Sequence, residues 1–223
     1  MNARWPAAAC IALLAVAARA AEPFDIAITV DDLPAHGPLP PGTTRLAIAA
    51  SYLATLKAHH VPEAFGFVNA AKLKDNPDGG AVLDAWRKAG YPLGNHAYTH
   101  MNLGRAPSLE AWQADVIAGE PEVAARMQGL DWHYFRFPNL SAGGDRAQDA
   151  LAFLRARGYR VADVSVAFGD WDYTDAYARC VARQDHAAID AMKRHYYRRV
   201  ERGIAAMKAQ SIQVFGRVAR KCC

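Results

Sequence analysis

Two adjacent carboxylates, Asp31 and Asp32, follow directly on the apolar run "DIAITV", and two histidines, His96 and His100, stand four residues apart in "GNHAYTH". These residue types can do hydrolytic chemistry. Neutral imidazole and carboxylate oxygen suit a divalent cation such as zinc, and two histidines with one aspartate leave positions for water and a substrate oxygen. A further carboxylate beside such a set can take a proton from water. Neither pair decides the matter alone. Acidic pairs after strands also cap turns, and histidines at i and i+4 also share one face of an ordinary helix. A third stretch, "YFRFPNLSAGG", puts Arg136 after another apolar segment, with Pro138 stiffening the turn. A guanidinium there can brace a carboxylate and favour its ionised form, or it can be a surface arginine at a strand end.

The segments around these residues alternate between strand-like and helix-like patterns. Strands are expected at Asp25–Val30 (short, β-branched, buried), Glu63–Val68, around Tyr91–Gly94, at Tyr134–Phe137 and within Tyr159–Phe168. Helices are expected over Thr43–His60, Gly79–Gly90, Ser108–Gln128 and Asp145–Gly158, with a disturbance of the third at Gly119–Pro121. Asp172–Gln210 reads as mainly helical, and "IQVFG" (Ile212–Gly216) as the start of one more strand. Such alternation means parallel strands with crossover helices, in an open doubly wound sheet or a (β/α) barrel. Either places its active groups at the C-terminal ends of strands. Adjacent strand residues point to opposite faces, so Asp31 and Asp32 can share a site only if the strand has ended there, and Leu33-Pro34 supplies a break.

Composition sets the outer bounds. The 223 residues are 52% apolar and 22% charged, which suits one folded domain. A net charge of +4, spread along helix faces, gives no footprint for nucleic acid. The start of the chain reads as a secretory signal over residues 1–20: Arg4, a short apolar run from Ala7 to Ala18, and the small-x-small "ARA" of Ala18–Ala20 before a cut near Ala21. That run is too short to span a bilayer, so the expected location is periplasmic or extracellular. The cysteines beyond it, Cys180, Cys222 and Cys223, form neither a CxxC pair nor a disulfide framework. Oligomeric state is left open.

Taken in order, "TVDDLP", "NHAYTH", "FRFP" and "GDW" (Gly169–Trp171) resemble the motifs of the polysaccharide deacetylases, carbohydrate esterase family 4, over roughly Ile26 to Tyr177. The resemblance implies a distorted (β/α) barrel with a divalent metal, usually zinc, with cobalt or nickel acceptable to the same donors. It implies Asp32, His96 and His100 as metal ligands and Asp31 as the base that activates water. It further implies Arg136 as the brace of Asp31, Asp170 as the holder of a last catalytic residue, and Trp171 with Pro138 at the sugar groove. The substrate would be an N-acetyl or O-acetyl group on a polysaccharide or oligosaccharide.

The chain departs from the family pattern in three places. Leu33 stands where a glycine is usual, and Ala167 stands near an expected acidic residue. No Leu-x-His, the motif whose histidine protonates the leaving group, follows Trp171, and "RVARKCC" is an unusual ending. The expectation is a barrel incomplete at its C-terminal end, without its final catalytic strand, and an impaired deacetylase. The alternative from another class is a non-catalytic carbohydrate-binding remnant of the same fold.

Overall fold

The computed structural model describes residues 24–218 and 221–222; the expected leader at residues 1–20 lies outside them. Strands β1 (Ile26–Leu33), β2 (Ala64–Val68), β3 (Leu93–Asn95), β4 (Tyr134–Phe135) and β5 (Arg160–Val161) alternate with helices α1 (Arg45–Ala58), α2 (Gly79–Lys88), α3 (Leu109–Arg126) and α4 (Ala147–Ala156). Helices α5 (Thr174–Ala182) and α6 (His186–Phe215) follow, then β6 (Lys221–Cys222). All pairings are parallel, and the sheet order is β5-β4-β3-β2-β1-β6. From β1 to β5, neighbours in sequence are neighbours in space with no reversal of order, and β6 alone crosses back to lie beyond β1. The five strands β1 to β5 curl as an incomplete distorted (β/α) barrel, running in one direction where a doubly wound sheet would split its strands to either side of the first. β6 lies beside the start of β1, pairing Lys221 with Ile26 and Cys222 with Ala27.

Local chemistry fixes the helix ends. Thr44 and Ser108 cap α1 and α3 by accepting from the N–H of Ala47 and Ala111, satisfying donors left over in the first turn. Gly90, with φ 90°, carries the chain out of α2 in a left-handed conformation. The core lies between one face of the sheet and the helices, since the register through Asn95 points Val68, Leu93 and Phe135 the same way. One cluster joins Val68, Val82, Leu83, Trp86, Leu93 and Val123; the other joins Leu103, Trp112, Val116, Phe135, Phe137 and Leu154. Each large side chain fully buried there stabilises the fold by about 1.5–3 kcal/mol before entropy is counted.

Four expectations are corrected. α3 runs unbroken through Pro121, because the carbonyl that the proline leaves unmatched belongs to exposed Ile117, where water can satisfy it. β1 is not a buried strand: it is mostly half-exposed, flanked on its outer side by β6 only near its start. Ile212–Phe215 is the end of α6, not a strand. A short apolar run is ambiguous between the two states, and extending a 30-residue helix needs no new nucleus. The histidine stretch from His96 to His100 is not helical. Among the described residues no helix is long and apolar enough to cross a membrane.

Candidate metal centre

The carboxylate pair depends on a bulge. β1 pairs Val30 with Gly66 and Leu33 with Val68, so Asp31 and Asp32 together face the single residue Phe67. An extra residue of this kind bends the strand and re-aims its side chains. Asp32 takes φ 64°, a left-handed backbone, and both carboxylates thereby reach one site although the strand continues to Leu33. The break expected at Leu33-Pro34 is thus replaced by an irregularity inside the strand.

The histidines are brought together by a loop rather than a helical turn. It leaves β3 at Asn95, and Ala97 and His100 adopt φ 62° and 66°. Three side chains other than the two histidines hold that shape. Asn69, at the end of β2, donates to the carbonyls of His96 (2.6 Å) and Ala97 (3.0 Å). Asn95 accepts from the N–H of Ala97 at 2.9 Å, and its amide donates to Tyr159 and to the Val116 carbonyl. Asp115 on α3 accepts from the N–H and the hydroxyl of Thr99. α3 comes close enough for this because Gly119 lies against Asn95, where a Cβ would stand 2.6 Å from Oδ1. Asn69 and Asp115 lie outside the motifs, and Asn95 opens "NHAYTH" without a role assigned to it there. Two of them are polar residues at strand C-terminal ends, and that signal is readable in sequence.

The result is a compact donor set. One ligand atom each from Asp32, His96 and His100 lie within 4.8 Å of one another. His100 Nε2 is 3.6 Å from Asp32 Oδ1, and the two imidazoles meet edge to face at 4.9 Å. His96 is buried and its Nδ1 lies 2.8 Å from the Arg136 carbonyl, to which it donates, leaving the Nε2 lone pair for a ligand. Burial pushes its pKa down to about 3, so the ring is neutral, as a ligand must be. Burial lowers His100 as well. Burial alone would raise Asp32, but the hydrogen bond with His36 and the charge of Lys72 outweigh it and hold the carboxyl well below the usual range. Two neutral imidazoles and an ionised carboxylate fit a divalent cation.

Arg136 serves two neighbours. Its backbone orients His96, and its NH1 donates to both oxygens of Asp31, at 3.0 and 3.1 Å. NH2 reaches Thr29 Oγ1. Burial raises the pKa of Asp31, while the Arg136 charge and hydrogen bonds oppose the rise. His96 Nε2 lies 4.0 Å from Asp31 Oδ2, so Asp31 borders the donor set without duplicating Asp32.

The remaining expected residues lie further out. Pro138 is buried at the start of a 3-10 turn, Pro138–Leu140. Asp170 and Trp171 begin another, Asp170–Tyr173, where Trp171 is 63% exposed. The charge of Asp170 reaches His36, and Thr174 packs against Gly37, so this segment borders the loop after β1. His186 and His195 are exposed on α6, and His195 meets the Tyr173 hydroxyl rather than the donor set.

Residues 18–162 match the family model described as polysaccharide deacetylase. The chain belongs to the polysaccharide deacetylase family. Solved structures show the same fold. A family 4 carbohydrate esterase pseudoenzyme from Bacillus anthracis has 20% identity and a TM-score of 0.52, covering 66% of this chain and 46% of its own. A family 4 carbohydrate esterase from the same organism has 21% identity and a TM-score of 0.50, covering 72% and 76%. A peptidoglycan N-acetylglucosamine deacetylase in complex with a substituted benzamide has 21% identity and a TM-score of 0.51, covering 66% and 60%. The match thus spans about half the length of the pseudoenzyme. No curated protein matches the chain.

Proposed function

We propose that this polysaccharide deacetylase family member is an exported, metal-dependent hydrolase that removes acetyl groups from a polysaccharide or oligosaccharide. The observation that carries the reading is the arrangement of Asp31: gripped at both oxygens by Arg136 and set against the Asp32, His96 and His100 donors. A divalent cation, zinc by preference of its donors, would be held by those three residues and would supply Lewis acidity toward the acetyl carbonyl and water.

The chain's own groups do the rest. Asp31 accepts a proton from the attacking water, and its burial makes it a stronger base than an exposed aspartate. Arg136 keeps it aimed and charged. Beside Arg136 lies a depression of about 360 Å³, lined by Phe137, Leu140, Ala142, Ala162, Asp163 and Val164. Its size suits an acyl group and part of a sugar. Trp171 offers an exposed ring face for a pyranose. Export is supported by the charged start and apolar run of residues 1–20.

Acetate release from chitin oligosaccharides and acetylated xylan, with zinc-loaded protein and an Asp31→Asn control, tests the proposal. Release that needs zinc and disappears in the control is expected. Zinc bound at one per chain without any release would overturn hydrolysis in favour of sugar binding by an inactive site.

A further inference from the structure

We infer that Lys72 is a built-in competitor for the oxygen of Asp32 that faces the histidines, so that the site holds a divalent cation more loosely than its donors alone would. The inference rests on Asp32, His96 and His100 being the metal donors. A histidine and a lysine grip Asp32, on different oxygens. His36 Nδ1 lies 3.0 Å from Oδ2. Lys72 Nζ lies 3.0 Å from Oδ1, the oxygen that is also 3.6 Å from His100 Nε2. The ammonium therefore donates to the carboxylate oxygen that lies toward His100, the side on which a metal shared with that histidine would bind.

Lys72 does not reach this place from a loose surface. It sits in the 3-10 turn Ala70–Leu73, where its N–H donates to Asn69 and its carbonyl accepts from the Asn76 amide at 2.6 Å. The same turn donates from Ala71 N–H to the Tyr98 carbonyl, and the Asn69 amide donates to His96 and Ala97. The lysine and the histidine loop are thus one hydrogen-bonded unit, and the ammonium has a fixed root. Its charge also reaches His100, where it adds to burial in disfavouring protonation. A dication at Oδ1 must either displace the ammonium or tolerate a like charge within a few ångströms, and both outcomes weaken binding. His36 does the opposite. It holds the far oxygen, leaves Oδ1 open, and acts as a positioning residue for the donor.

Zinc affinity measured against a chromogenic chelator separates these roles. Wild type is compared with Lys72→Gln, Lys72→Met, Lys72→Arg and His36→Ala, together with thermal unfolding of chelator-treated protein. Lys72→Gln and Lys72→Met should bind zinc at least ~10-fold tighter once the competing charge is gone. Both should also unfold at lower temperature without zinc, because Asp32 has lost a partner. Lys72→Arg should stay near wild type. His36→Ala should bind about 10–100-fold more weakly, as loss of an outer partner usually costs. Zinc bound by Lys72→Gln but not by wild type would support the inference most strongly. Affinity unchanged or weakened in both neutral variants overturns it while the metal-site reading stands. Binding by none of the five proteins overturns both.

Discussion

From Ile28 to Val161 the chain packs around two apolar clusters, whereas α5 and α6 contribute to neither. α6 alone runs for 30 residues and buries only Ile189, Met207 and Ser211. Much of what fixes the helical segment is polar and exposed: Arg199 with Asp172 at 2.8 Å, and the Tyr173 hydroxyl with His195. The family match also ends at residue 162. The two regions show where chemistry can be placed. Metal donors must be held to a fraction of an ångström, and the region whose strands are packed against helices offers that rigidity. The helical region touches the site at its margin, through Asp170 beside His36 and Thr174 beside Gly37.

The contrast can be broken by substitutions in each region. The largest effect should come from Asp31→Asn, which removes the base: acetate release should fall about 10²–10⁴-fold while zinc binding persists. Loss of zinc along with activity would show instead that Asp31 holds the metal. Trp112→Ala, at the centre of the second cluster, should cost about 3–5 kcal/mol in urea unfolding. A cost as small as that of a surface change would mean that the packed region is not what stabilises the site.

Asp115→Ala comes next. It leaves the Thr99 N–H and hydroxyl without their acceptor, and stability should fall by about 1–3 kcal/mol. Zinc affinity should fall with it, because Thr99 directly precedes His100. An unchanged affinity would show that the loop holds its shape without this anchor. Val214→Ser, on the 64%-exposed end of α6, should shift stability by less than about 0.5 kcal/mol. A larger loss would place a hidden contact on the helical region and weaken the contrast.

Much of this was legible in the residues themselves. The β-branched runs and capped amphipathic segments specify alternating strands and helices, and the glycines close them where expected. Carboxylate, imidazole and guanidinium side chains advertise their chemistry by type, and the resemblance of their ordered motifs to a known family is what singles out Asp31, Asp32, His96, His100 and Arg136. Less legible were states set by the surroundings of a segment, whether the helix before it or a partner distant in the chain. The Ile212–Phe215 run is apolar enough for a strand, yet the preceding helix carries it along. The i,i+4 spacing of His96 and His100 suggests a helical face, yet Asn69, Asn95 and Asp115 impose a loop with two left-handed residues.

The sequence by itself determined the donor types, their order and the parallel α/β class, because side-chain chemistry and hydrophobic period are local properties. Only the tertiary structure decided that a bulge at Asp31–Asp32 turns both carboxylates to one site. It also decided that His36 and Lys72 take opposite oxygens of Asp32, and that Arg136 serves His96 and Asp31 at once. Those facts depend on register and on approach between segments up to 105 residues apart, which no local pattern encodes.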